Sequence, residues 1–348
     1  MATSFKSVNQ LSSTSILIWR LVQGVVWLIG ATIFSCLVFY PTLGTLLFWN
    51  ILIPIAPALI VVALGVWRNV CPLATTNLLP RHFGCSKRKR LSQNQSGKLN
   101  LISVLAFFII VPLRHAVFNT NGVATAALIF SLAMVGFIAG FFYEWKSVWC
   151  SGLCPVHPVE KLYGSNVLMS IPNAHCGECQ NCVIPCPDST PNMFPNAFGK
   201  SRFHNISGWL ITGGLPGFIW GWFHVPDQAG LSSVSSFLSV YEFPIMGFAI
   251  TLLLFTIITT FLNDSNKRVL IQVYAAASVS CYYWFRIPSL IGFGNFESDG
   301  LLINLKGIIP SWIPLGISIC TTLFFFFWLI IRKPNNNSWL IRPEFANK

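Results

Sequence analysis

What most constrains this chain is a series of apolar stretches, each long enough to cross a bilayer. A hydrocarbon core of about 30 Å requires roughly 20 apolar residues per helix. Ile16–Tyr40, Leu46–Val66, Leu99–Phe118, Gly122–Tyr143, Tyr241–Leu262, Val269–Ile287 and Gly307–Ile331 meet that length. A further stretch, Ser207–Val225, is interrupted by Gly213, Gly214, Pro216 and Gly217. Such residues are tolerated within spans where neighbouring helices satisfy the freed backbone groups.

Composition closes off the other classes. Charged residues make up 9% of the chain and hydrophobic ones 54%, against about 25% charged in a soluble domain. A chain with 30 Phe and 13 Trp is too apolar to remain disordered. The 11 Cys are mostly bunched at metal-ligand spacing, which excludes a secreted disulfide scaffold. The sequence therefore predicts an all-α polytopic membrane protein of about eight transmembrane helices. The expected regions are a four-helix membrane unit over 1–143 with a Cys-Pro loop at 67–98, a small cysteine-bearing loop module over 144–206, a second four-helix unit over 207–331, and a tail over 332–348.

Charge gives the orientation. Assigning the connections alternately puts Lys6, Arg68, Arg81, the basic run Lys87–Arg90, Lys98, Lys146, Lys161, Lys200, Arg202, Lys267, Arg268 and the tail cations on one side, with Arg20 near the same end of its span. Only Arg114, Arg286 and Lys306 fall at the other, beside Asp227, Glu297 and Asp299. The positive-inside rule then makes both termini and the two long loops cytoplasmic, as in a bacterial-type inner membrane protein. The net charge of +12 reads as this topology signal, with some attraction to anionic lipid. Nucleic acid is not an expected partner, since the basic run lies close beside a span.

The chemistry sits in the cysteines. Cys176, Cys179, Cys182 and Cys186, the last followed by Pro187, have the spacing C-x2-C-x2-C-x3-C-P of bacterial ferredoxins. Three thiolates at intervals of three wrap one cubane, and the proline turns the chain away. The stretch 144–206 is therefore expected to be a small cytoplasmic ferredoxin-like iron–sulfur loop module. Zinc sites instead favour two separated C-x2-C knuckles. Upstream, Cys150 and Cys154-Pro155 repeat the last half of such a run. Because the Cys before Pro ligates the other cluster in two-cluster ferredoxins, two assignments stand. Cys154 completes the cluster of Cys176, Cys179 and Cys182 while Cys186 and Cys150 serve a second centre, or Cys186 closes its own cluster. Val70-Cys71-Pro72-Leu73, with Phe83-Gly84 beyond, echoes Leu153-Cys154-Pro155-Val156 with Tyr163-Gly164, and Trp67 stands where the echo lacks its first Cys. Cys71 is thus a further candidate ligand, with Cys85 or His82 as its companion. Cys36, Cys281 and Cys320 fall inside spans and read as buried apolar fillers.

At these residues the chain resembles the membrane-bound polyferredoxin family, which includes the NapH- and NosR-type accessory proteins of nitrate and nitrous oxide reduction and related oxidase-maturation proteins. The resemblance covers roughly Trp67–Pro187. It implies 4Fe-4S cofactors and passage of electrons between quinol, or a cytoplasmic donor, and a partner enzyme. The chain departs from the family in having one complete four-Cys run rather than two, and in lacking an extracytoplasmic flavin domain.

Ionisable groups inside spans are functional candidates by default. Arg114 and His115 end the third span and His224 lies near the end of the Ser207 span. Three readings are open there: interfacial anchoring with Arg114 snorkelling, a quinone head-group site, and bis-histidine haem ligation. For the whole chain the leading expectation is an electron relay between quinol or a cytoplasmic donor and a partner redox protein or respiratory complex. The alternatives are a maturation factor that reduces a metal or thiol during assembly of a respiratory enzyme, and a transporter with a redox sensor. No nucleotide loop, nucleophile triad or paired carboxylates point to substrate turnover.

Overall fold

The computed structural model describes residues 7–8, 12–89, 91–143, 148–166, 168, 171–172, 201–228, 234–296, 299–333 and 340–343. They form a helical bundle. In chain order the α-helices are α1 (Ser13–Phe39), α2 (Pro41–Thr45), α3 (Ile53–Val70), α4 (Pro72–His82), α5 (Gln93–Ile110), α6 (Gly122–Phe142), α7 (His157–Tyr163), α8 (Arg202–Trp222), α9 (Val234–Phe261), α10 (Asp264–Leu290) and α11 (Trp312–Phe326). Wider π-type turns occupy Leu46–Leu52, Arg114–Phe118, Trp149–Leu153 and Phe327–Ile331. Caps define several starts: Ser92 and Gln95 bond reciprocally at the head of α5, and Asn121 accepts from Ala124 N–H at the head of α6.

Among the described residues five helical segments are long and apolar enough to cross a membrane: Ser13–Phe39, Pro41–His82, Gly122–Phe142, Phe237–Phe261 and Trp312–Ile331. Their outward faces are bare hydrocarbon. Leu21 is 62% exposed, Leu28 61% and Leu253 61%, which suits contact with lipid and not with water. The other three expected spans fold as α5, α8 and α10, which carry more polar residues; α8 and α10 are also the more deeply packed of the three. The stretch 67–98, expected as a loop, contains helix α4, whose Asn77 Nδ2 donates to the Gly136 carbonyl of α6 at 2.5 Å.

The glycines that interrupt Ser207–Val225 have a packing role. On α8 a Cβ at Gly217 would overlap the Gly247 carbonyl of α9, and one at Gly214 would enter the Phe248 ring. Small residues of this kind let helix backbones approach closely where lipid supplies no hydrophobic drive. The core around α8 joins Ile60 and Leu64 of α3, Val104 of α5, Leu162 of α7, Val279 and Tyr283 of α10, and Phe325 of α11.

Helix α3 is bent. Ala63 leaves helical backbone at φ −140°, ψ 54°, and Pro57 lies within the same helix. Near its start, Tyr283 Oη accepts from Ala58 N–H at 2.9 Å and donates to the Pro54 carbonyl at 2.6 Å. The tyrosine hydroxyl thus inserts into an i→i−4 bond and satisfies both halves. Short parallel pairings join Leu340–Pro343 to Ser7–Val8 and to Ile171–Pro172.

Candidate functional site

The two Cys-Pro segments adopt the same local structure. A residue before proline is pushed out of the α region, so each Cys ends one helical segment; Pro72 opens α4 at once, while Pro155 stands in a short turn before α7 begins at His157. Cys71 has φ −57°, ψ 119° between α3 and α4, and Cys154 has φ −64°, ψ 116° after the Trp149–Leu153 turn. The repeat seen in sequence is therefore a repeat in backbone. It also closes in space: Cys71, Cys150 and Cys154 pack in one small apolar cluster with Ala74, Leu73, Leu132, Leu153 and the buried Trp149. Ser103 of α5 donates to the Cys154 carbonyl at 2.7 Å. Burial pushes the Cys154 thiol well up, and Glu160 and the neighbouring thiols of Cys71 and Cys150 add to this.

Beneath the cysteines lies a charged clamp that the sequence did not single out. Arg68, one turn before Cys71, donates to the Glu160 carboxylate, which stands on α7 shortly after Cys154. Both side chains are buried. Trp67 Nε1 donates to Glu160 Oε1 at 2.8 Å, so the residue in the place of the missing Cys binds the clamp instead. His157 Nδ1 lies 3.2 Å from Arg68 Nη1 and 3.5 Å from Glu160. Burial pushes the His157 imidazole down to about 4, against the pull of Glu160; neutral, it accepts from Arg68. Burial works to raise Glu160, but Arg68, His157 and Trp67 together hold it at about 2.

Thiol donors suit a soft iron–sulfur centre. Among the described residues no three His, Cys, Asp or Glu side chains group closely enough to hold a metal ion, so Cys71, Cys150 and Cys154 do not make up a metal site by themselves. Cys176, Cys179, Cys182 and Cys186 lie outside the described residues. Cys85 is exposed, and His82 Nε2 lies 3.3 Å from Arg20 Nη1. Neither joins the cluster of Cys71. Cys36, Cys281 and Cys320 sit within α1, α10 and α11 as free thiols, but Cys36 and Cys281 are only half-buried and Cys320 is exposed, so none is the buried filler the sequence suggests.

A second polar centre occupies the far end of α3. Arg114 and His115, on the Arg114–Phe118 turn, are each only 4% exposed. Arg114 lies over the rings of Trp49 and Trp222, at 5.6 and 5.1 Å from their centroids. His115 Nδ1 is 2.5 Å from Asp227 Oδ1, while Asn119 donates to the other oxygen of that carboxylate. Asp299 accepts from Asp227 N–H at 2.7 Å. Arg286 of α10 donates to the Trp49 carbonyl at 2.6 Å and to Asn50 Oδ1 at 2.8 Å. Its guanidinium lies against Gly300, where φ +69° and the absence of a Cβ are both needed.

These groups line a cavity of about 270 Å³ with walls from Phe223, Trp284, Phe285 and Leu315. Arg114 Nε and His115 Nε2 are buried without a hydrogen-bond partner among the described residues. Burial places Arg114 and His115 away from the interfacial water that anchoring calls for. His224 does not line the cavity; its Nδ1 is 2.7 Å from the Trp220 carbonyl and its ring packs on Trp220 and Phe285. The two histidines therefore do not face one cofactor space. The 18 residues of α3, at about 1.5 Å each, run roughly 27 Å at most between the Trp49–Asn50 segment that Arg286 binds and the Cys71 turn.

No family model, no curated protein and no solved structure matches the chain.

Proposed function

We propose that the chain is an inner-membrane iron–sulfur protein that relays electrons between quinol, or a cytoplasmic donor, and a partner redox enzyme. The observation that carries this reading is the meeting of Cys71, Cys150 and Cys154 in one cluster through two matching Cys-Pro turns. The ferredoxin spacing of Cys176, Cys179, Cys182 and Cys186 supplies the remaining thiols, and the likeness to membrane-bound polyferredoxins gives the class. A 4Fe-4S cluster, when bound, supplies one-electron transfer at a potential set by exposure and by hydrogen bonds to sulfur. In this reading all eight apolar segments cross the membrane, and both termini and the cluster module face the cytoplasm.

The cavity at Arg114 and His115 suits the quinol arm. Its walls are aromatic, Arg114 Nε has a donor to give, and Asp227 holds His115 so that Nε2 is ready to accept a proton. With His224 outside that lining, we do not extend the reading to haem. Anaerobic purification with iron, sulfide and paramagnetic resonance measurements tests the cluster. Cysteine labelling of an iron-free variant tests the orientation: reagent should reach Cys176–Cys186 only from the cytoplasm, and labelling from outside intact cells would overturn it.

A further inference from the structure

Asp227 is fixed by more than its bond to His115. Asn119 Nδ2 donates to the second carboxylate oxygen, and Asn119 Oδ1 accepts from Arg114 Nη2 at 3.2 Å. The Asp227 N–H donates to Asp299 at 2.7 Å, and the next residue, Gln228, donates its N–H to the His115 carbonyl at 2.8 Å. A carboxylate only accepts. It therefore takes the hydrogen of His115 Nδ1 at 2.5 Å and leaves the lone pair on Nε2, since the bond at one ring nitrogen sets the state of the other. What the cavity offers a ligand follows. His115 Nε2 is an acceptor and Arg114 Nε a donor, both buried without a partner among the described residues, on side chains that line the cavity. A hydroxyl satisfies both kinds of group, whereas a carbonyl or ether oxygen satisfies only the arginine. Formal charge among the described lining residues cancels, Arg114 and Arg286 against Asp227 and Asp299. An anion would therefore lose its hydration there without gaining a net counter-charge.

We infer that the cavity selects a neutral aromatic hydroxyl, the reduced and protonated form of a quinone rather than the oxidised form or an anion, and that Asp227 is the positioning residue that sets this preference by fixing the His115 tautomer. The inference rests on the quinol reading of the cavity and deepens it by naming the form that binds and the residue that selects it. It requires no metal and no electron transfer. Leaving a buried acceptor unmet is what penalises the wrong ligand.

Equilibrium dialysis of the full-length protein in detergent micelles, with empty micelles subtracted, tests this using three redox-inert probes: a para-alkyl phenol, its methyl ether and the matching benzoate. Wild type should bind the phenol at least about tenfold more tightly than either of the others, the ratio that one unmet buried hydrogen bond produces. In Asp227→Asn the introduced amide keeps its oxygen toward Asn119 Nδ2 and turns its NH2 to His115 Nδ1, which moves the ring hydrogen to Nε2. Preference for phenol over ether should then fall to within about threefold, and benzoate should tighten as the charge balance turns positive. Equal weakening of all three probes would reduce Asp227 to a structural role and reject its part in selection. Should that variant fail to accumulate, the ring-nitrogen resonances of labelled histidine in the wild type decide. A protonated Nδ1 with a bare Nε2 at His115 supports the assignment, and any other state overturns it. Equal wild-type affinity for phenol and ether, or tightest binding of benzoate, would overturn the inference alone. Binding of none of the probes would overturn it together with the quinol reading on which it rests.

Discussion

The guanidinium of Arg68 holds the carboxylate of Glu160 across 92 positions of sequence, and that bond ties the end of α3 to α7 where the two Cys-Pro turns meet. Both partners are buried, so removing one leaves the other a buried charge whose counter-charge is gone. Such a loss costs about 3–5 kcal/mol. Arg68→Met or Glu160→Gln should therefore destabilise the detergent-solubilised protein by about that much, and the double variant by less than either single change. Chemical unfolding followed by tryptophan fluorescence reads this, and additive losses would contradict it.

Acid should release the same bond. Glu160 titrates at about 2 when folded and near 4.3 when unfolded, so the unfolded state takes up protons first as pH falls. Its stabilisation is complete above the unfolded value and is lost as pH drops from there toward 2. In iron-free protein, thermal midpoints should fall over that window, and Glu160→Gln should flatten this part of the profile. A slope unchanged in the variant would assign the acid sensitivity to other groups.

Tyr283 supplies a different kind of support. Its hydroxyl is the link between Ala58 N–H and the Pro54 carbonyl of the bent α3. Tyr283→Phe removes both bonds and should cost about 1–3 kcal/mol, the usual penalty for unsatisfied buried backbone groups. Hydrogen exchange at Ala58 should rise in the variant. Unchanged protection would show that α3 closes its own ladder without the tyrosine.

How much of this was legible in the sequence follows from what each feature needs. The outward-facing helices such as α1 declare themselves, because a lipid-facing helix must be apolar along its length. The Cys-Pro echo was legible because proline dictates the backbone of the residue before it, and Cys71 and Cys154 share that backbone. Arg68 and Glu160 were not, since each looks like an ordinary loop charge until the fold pairs them. Asp227 was hidden in the same way: it reads as an outer-side acid, yet it orients His115, 112 positions away. Trp67 gave a partial signal as the odd residue in a repeat, without showing what it binds. The glycines of α8 weakened a span on paper and tighten it in the bundle.

At the cavity, His115→Gln should lower affinity for a short-chain quinol analogue at least tenfold while leaving iron content unchanged. Leu315→Trp, which fills the cavity from the α11 wall, should do the same without touching a polar group. Quenching of tryptophan fluorescence in detergent micelles reads the binding. Affinity unaltered in both variants would place the quinol elsewhere.

The central claim is that Cys71, Cys150 and Cys154 serve an iron–sulfur centre with the Cys176–Cys186 run. The most direct measurement is iron and acid-labile sulfide per chain, with the reduced paramagnetic resonance spectrum, on anaerobically purified wild type and on Cys71→Ser, Cys150→Ser and Cys154→Ser. The account predicts about four iron atoms per cluster in the wild type, and reduced iron or an altered spectrum in each of the three variants. Background iron in the wild type, or iron and spectra unchanged in all three variants, would contradict it.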